Sequence, residues 1–281
     1  WLYGPFLELN GGDIQKEVED WWRVSRKLTG SLEDDNPSAA ECAKKLFEET
    51  TSFRKHLPVI QALASPALKD RHWESLSGVL GDKITPDEEL TLQQLLDKNA
   101  GDYIEEIQGV CVSAEKEYGL ERQLQGMKDD WAAIQFEVKA YKESGTSIVG
   151  GIEDIITLLD DHIVKTQTMR GSMYIKAIEE DAKAWEFQLK YAQSLLDEWI
   201  KCQRTWMYLE PIFNSEDIMR QLPTEARRFN DVNTLWRATM KATEEDPTFI
   251  AQADPQKKLE EKFKMANEKL DKIQKGLSDY L

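Results

Sequence analysis

The chain has 281 residues, 41% hydrophobic and 31% charged, with nine Trp and a formal net charge of −16. Nine large rings that must settle into packed positions argue against disorder, and an acidic balance with no dense Lys/Arg stretch argues against nucleic-acid binding, which needs clustered cations on phosphates. Cys42, Cys111 and Cys202 are odd in number, far apart and lack CxxC spacing, which speaks against a disulfide framework or zinc site and for a reducing compartment.

The first predicted helix is capped by Asp13, carries Ile14, Val18, Trp21, Ser25 and Leu28 in a 3–4 rhythm, and ends at Gly30. The second starts at Asn36-Pro37, a cap with a first-turn proline, and runs through Ala43, Leu46, Phe47 and Phe53 to Leu57, where Pro58 breaks it. Ser65-Pro66 opens a helix holding Leu68, Trp73 and Leu76. Thr85-Pro86-Asp87-Glu88 has the form of a capping box opening a short helix. Two helices follow, split at Gly119: one lined by Ile104, Ile107, Cys111, Ala114 and Tyr118, the other by Leu120, Leu124, Met127, Trp131 and Ile134. The period then changes to two: Phe136, Val138 and Ala140 alternate with polar residues, a Ser144-Gly145 turn follows, and the segment Phe136–Val149 reads as a β-hairpin. A helix from Gly151 to Arg170 carries Ile152, Ile155, Ile156, Leu159 and Ile163.

The next segment is the most informative. Ile178, Trp185, Ala192, Trp199 and Trp206 recur every seven residues, with Ala182, Leu189, Leu196 and Gln203 in the second seam position, a coiled-coil-like stripe over about four heptads. A helix from about Tyr174 to Glu210 would be roughly 55 Å long. Glu210-Pro211 and Leu222-Pro223 should stop it, with an aromatic cluster wedged around the turn. Phe229, Val232, Trp236 and Met240 mark a further helix. After Asp254-Pro255 comes a second seam: Leu259, Phe263, Ala266, Leu270, Ile273 and Leu277. These stripes read first as bundle core.

No catalytic pattern accompanies them. GxxxxGK[ST] is missing, the pairs Gly11-Gly12 and Gly150-Gly151 sit in no strand–loop–helix fingerprint, and His56, His72 and His162 lie in separate predicted helices without zinc-helix spacing. The longest uncharged run, Leu57–Leu68, is too short to span a bilayer and contains two prolines. No signal peptide is visible, and a chain that starts at Trp1 and stops inside a helical pattern reads as a segment of something longer.

Three long blocks carry a specific resemblance: "RHWESL" (71–76), "YKESGTSIVGGIEDIITLLDDHIVKTQTMRGS" (141–172) and "DEWIKCQRTWMYLEPIFNSEDIMRQLPTEARRF" (197–229), joined by "KIQKGLSDYL" near the end. They resemble the linker region of dynein heavy chains, with "YLEPIF" and "DDHIVKTQTMRGS" more like the axonemal type. The resemblance implies a mechanical lever that bends and straightens over the AAA+ ring of the same heavy chain, converting ATP-driven changes into movement along microtubules. It further implies a larger dynein complex with intermediate and light chains, in a ciliary or flagellar axoneme, the cytoplasm being second choice. No catalysis, cofactor, metal, nucleic acid or membrane is expected for this segment.

The expected fold is predominantly all-α: an elongated helical-bundle arm with long coiled-coil-like helices. A helical group at 1–134 is followed by a small β-hairpin insert at 135–150 and a long-helix bundle at 151–281. The lever helix should be locked by Trp185, Trp199, Trp206, Tyr208, Leu209, Pro211 and Phe213. Candidate hinges or ring contacts are Pro58, Pro66, Arg71, Trp73, Gly145, Gly150, Gly151 and Gly171. The rival is a spectrin-like scaffold, suggested by Trp21, Trp131 and Trp236 recurring at about the hundred-residue period of that family.

Overall fold

The computed structural model describes residues 1–280, which form twelve α-helices and one two-stranded antiparallel sheet. They divide into two compact units, Trp1–Gly119 and Leu120–Leu281.

In the first unit, α1 (Gly11–Leu32) starts before Asp13, because the Asn10 side chain accepts from the amides of Gly12 and Asp13 at 3.0 and 3.1 Å. It also passes through Gly30 and ends two residues later. Of its predicted apolar face, Ile14, Val18 and Ser25 are buried, while Trp21 and Leu28 remain exposed. α2 (Pro37–Arg54) begins as expected, with Asn36 capping the Ala39 amide, but stops three residues before Leu57. Pro58 breaks nothing. It is the second residue of α3 (Leu57–Leu63), where a missing amide costs no helical hydrogen bond.

α4 (Asp70–Leu80) starts after the Ser65-Pro66 turn rather than at it, and its capping acceptor is His72, whose Nδ1 takes the Lys69 amide at 3.0 Å. No helix forms at Thr85: the Asp87 carboxylate accepts from the amides of Glu89 and Leu90, which closes a turn instead. The capping box lies six residues on, where Thr91 and Gln94 reciprocally satisfy each other's backbone amides and open α5 (Leu92–Asp97). Phe6, Ile60, Trp73, Leu76, Leu92 and Leu95 form the centre of this unit's core.

The predicted break at Gly119 does not exist. α6 runs from Ile104 to Ala133 without interruption, with Ala114 buried before the glycine and Leu124 and Trp131 buried after it. A lone glycine costs a helix only about 1 kcal/mol relative to alanine, less than packing on either side restores.

In the second unit, β1 (Glu137–Ala140) pairs with β2 (Ser147–Gly150), Val138 opposite Val149. The loop closes through the Tyr141 amide on the Thr146 carbonyl at 2.9 Å, with Lys142 and Gly145 in left-handed conformation. The alternation expected of Ala140 fails: it is exposed, and Tyr141 turns inward. α7 (Ile152–Arg170) and a short 3-10 turn lead to α8 (Glu179–Phe213), then α9 (Glu216–Gln221), α10 (Pro223–Glu245), α11 (Phe249–Gln252) and α12 (Leu259–Tyr280). Neither later proline acts as predicted. Pro211 lies inside the last turn of α8, which continues to Phe213, and Pro223 is the first residue of α10.

α8 is the axis of this unit, packed by α7, α10 and α12. Side-chain pairs give the directions. α7 is antiparallel to it (Asp160 with Gln193, Gln167 with Glu186), and so is α10 (Asn233 with Trp206, Phe229 with Phe213). α12 runs parallel to it: Ser194 meets Glu260, Glu198 meets Asn267 and Lys201 meets Asp271.

Candidate functional site

All nine predicted seam residues, Ile178 in the turn before α8 and the eight from Ala182 to Trp206 within it, are buried. Trp199 lies between Phe136 of the hairpin approach and Phe263 of α12, at ring-centroid distances of 5.1 and 5.0 Å. Trp206 stacks on Trp236 of α10 at 5.3 Å, takes the Tyr141 ring edge-on at 5.5 Å, and donates its indole N–H to Asn233 at 3.1 Å. Trp185 is buried near the other end, with the Lys128 ammonium 5.9 Å from its ring. Around Trp199 and Trp206 the seam is therefore filled by rings from the hairpin segment, α10 and α12, at the density of a close-packed core.

The single polar seam residue explains itself. Gln203 accepts from the Val149 amide and donates to the Val149 carbonyl, each at 2.9 Å. In the register of the hairpin, the Val138–Val149 pair is the non-hydrogen-bonded kind, so these two backbone groups point away from β1. Gln203 thus acts as a one-residue strand that closes an otherwise open sheet edge. Further ties hold the hairpin: Arg237 donates to the carbonyls of Ser144 (2.6 Å) and Gly145 (3.4 Å), and the Ser147 hydroxyl meets Glu244.

At the C-terminal end of α8, Pro211 has no amide to give the carbonyl four residues back, that of Met207. The Tyr141 hydroxyl supplies the donor instead, 3.3 Å from the Met207 oxygen. Leu209 is fully buried, and Phe213 stacks on Phe229 at 5.1 Å. Tyr208, grouped with them from sequence, is 61% exposed and lies outside this packing. Tyr141, Gln203 as a hairpin clamp, and Arg237 were not among the expected lock residues.

The buried Glu186 clasps the opposite end. It receives Lys190 at 2.6 Å, Gln167 at 3.3 Å, and Arg170 from the end of α7. Lys190 first, then Arg170 and Gln167, hold its carboxyl down at about 2. Two thiols are inert for the opposite reason: burial pushes Cys111 up to about 11 and Cys202 up to about 12, each helped by a neighbouring glutamate.

The candidate hinges and contacts fall in varied settings. Pro58 is helical, and Pro66 lies in the exposed turn before α4. Arg71 pairs with Glu117 of α6, which also accepts from the buried His72 at 3.0 Å. Trp73 is buried edge-on against Phe6. Gly145 occupies the left-handed hairpin turn, and Gly150 ends β2. Gly151 caps α7 at φ 70°, where an added Cβ would sit 3.0 Å from Glu137 Cγ. Gly171 caps the far end of α7 in ordinary right-handed conformation.

Among the described residues no three His, Cys, Asp or Glu side chains converge as a metal site, and no helix is long and apolar enough to cross a membrane. The three tryptophans behind the scaffold reading are not equivalent: Trp131 and Trp236 are fully buried, while Trp21 is 49% exposed.

The family described as "Dynein heavy chain, N-terminal region 2" matches residues 1–281. The chain is 40% identical over 281 residues to dynein axonemal heavy chain 3 of Mus musculus, covering 100% of this chain and 7% of that one. It is 38% identical to dynein axonemal heavy chain 1 of Rattus norvegicus (100% and 6%) and 38% identical to dynein axonemal heavy chain 12 of Homo sapiens (100% and 9%). The chain thus spans less than a tenth of the length of these relatives.

Proposed function

This chain belongs to the dynein heavy chain family, as its N-terminal region 2, and from that membership we propose that it is the linker, a lever that carries motion without doing chemistry. The observation behind the proposal is the seam of α8. Thirty-five residues of continuous helix, about 50 Å at 1.5 Å per residue, are packed by α7, α10 and α12 and closed at one end by the Tyr141–Met207 bond. A lever transmits displacement only if it deforms less than the joint on which it swings, and such a helix is the stiff member.

In this reading the AAA+ ring of the parent chain is the engine, microtubules are the track, and the working complex is axonemal, as the names of the relatives suggest. Stiffness and engine can be separated in the parent motor. Inserting a flexible Gly-Ser segment beside Ala192 would leave the ATPase modules whole and soften the lever. Microtubule gliding speed should then fall far more than basal ATP turnover. Equal losses in both would refute the lever.

A further inference from the structure

Two of the nine prolines follow a hydroxyl residue, in Ser65-Pro66 and Thr85-Pro86, and the fold treats the two hydroxyls differently. Ser65 is half-buried. Its hydroxyl accepts from the Ala67 amide at 3.3 Å, and its carbonyl accepts from the Leu68 amide, which closes the turn before α4. Thr85 is exposed, and among the described residues its hydroxyl has no partner. The loop that carries it is pinned on both sides. Ile84 is buried, with its amide on the Ser77 hydroxyl at 2.9 Å, and Leu90 is buried, with its carbonyl accepting from the Phe6 amide at 2.7 Å. Between these anchors Thr85, Asp87, Glu88 and Glu89 all face solvent. Residues 83–86 belong to no helix, strand or turn, and Pro86 biases Thr85 toward extended backbone. Beside Thr85 opens a cavity of about 590 Å³, lined also by Asp82, Lys83, Asp87 and Lys98.

We propose that Thr85 is a phosphorylation site for a proline-directed protein kinase. The Thr85 oxygen would attack the γ-phosphorus of ATP while the bond from that phosphorus to the β–γ bridging oxygen breaks. ADP leaves, and the hydroxyl proton passes to the carboxylate of the kinase's catalytic loop. Such a reaction needs a free hydroxyl on a segment that can lie extended in a cleft, and the fold offers this at Thr85 and withholds it at Ser65. Pro86 brings no amide, so an apolar cleft wall at that position leaves no donor unpaired. Only one backbone bond has to be replaced, from the Asp87 amide to the Thr85 carbonyl at 3.0 Å. The product would carry about 1.5–2 negative charges at pH 7 beside a cavity whose cations are Lys83 and Lys98. Lys98 pairs with Asp82, and the phosphate would compete for it. The site is independent of the lever reading.

The test incubates the 281-residue chain, and synthetic peptides covering 60–70 and 80–90, with MgATP and a proline-directed kinase of the mitogen-activated class. Fragmentation mass spectrometry reads the site and the rate. Thr85 should be modified in the folded chain at close to its peptide rate. Ser65 should fall at least about tenfold below its own peptide, because its turn must open first. Thr85 faces solvent, so Thr85→Val keeps the fold and should remove most of the incorporation. Pro86→Ala should slow transfer to Thr85 by about tenfold, since it adds an amide that the cleft leaves unpaired. No transfer to Thr85, or a folded-to-peptide ratio as low as that of Ser65, would overturn the site. An unchanged rate in Pro86→Ala, or faster transfer by an acid-directed kinase that reads Glu88, would overturn the proline-directed kinase.

Discussion

Replacing Tyr141 by Phe removes one hydroxyl and nothing else, yet its effect should depend on a residue seventy positions away. The hydroxyl donates to the Met207 carbonyl, which Pro211 leaves without its helical partner. Losing that bond should cost about 1 kcal/mol if water reaches the carbonyl, and up to about 3 kcal/mol if it stays dry. In a Pro211→Ala background the new amide at 211 can close the helical ladder on Met207, so Tyr141→Phe should cost about 0.5 kcal/mol or less there. The double-mutant cycle should therefore show a coupling of about 1 kcal/mol or more. Urea unfolding of the four proteins, followed by tryptophan fluorescence, measures it directly. An equal loss from Tyr141→Phe in both backgrounds would show that the hydroxyl does not substitute for the missing amide.

Other perturbations separate packing from polar clamping. Gln203→Leu keeps the seam apolar but strands the Val149 amide and carbonyl, and should cost about 2–3 kcal/mol with faster hydrogen exchange at Val149; unchanged exchange there would contradict the clamp. Trp206→Ala should cost about 3–5 kcal/mol, whereas Trp21→Ala should stay near 1 kcal/mol, and matching thermal shifts for the two would undo the assignment of core and surface. Glu186 has a folded-state pKa of about 2, below its ordinary 4.5, so its contribution is complete above pH 4.5 and lost as pH falls toward 2. The stability gap between the parent and Glu186→Gln should close over that window; a gap independent of pH would refute the clasp. His162 is also depressed, by burial first and Lys165 second, so its stabilising effect is present above pH 6.5 and fades below it. Because its Nδ1 accepts the Trp131 indole N–H at 3.0 Å, acid should perturb Trp131 fluorescence, and His162→Gln should remove that titration.

Periodicity was the most legible part of the fold. The nine seam positions from Ile178 to Trp206, and Leu259, Phe263, Ala266, Leu270 and Ile273 of α12, are buried as their spacing indicates, because a sustained heptad leaves a helix one face to bury. Punctuation was less reliable. Gly30 and Gly119 have the look of helix stops, yet both lie inside helices, since a helix ends where packing and capping end rather than where propensity dips. Pro58 and Pro223 suggest breaks but stand in first turns, and Pro211 is tolerated because a distant hydroxyl repairs the ladder. The capping box stands at Thr91/Gln94, where the sequence has the form T-x-x-Q, and not at Thr85-Pro86.

The site divides the same way. Trp185, Trp199 and Trp206 could be found from spacing alone. What Gln203 and Tyr141 touch could not, because their partners lie 54 and 66 residues away in the chain. A polar residue in an apolar seam was the one available signal that something docks there.

The parallel course of α8 and α12 has a consequence for load. Tension applied at the start of one helix and the end of the other would slide them along their common axis, a shear geometry. The ties at Glu260, Asn267 and Asp271 would then be strained together instead of peeling apart in succession. Rupture strength would grow with the overlap of the pair, so shortening α12 by one turn should weaken it more than deleting any one tie.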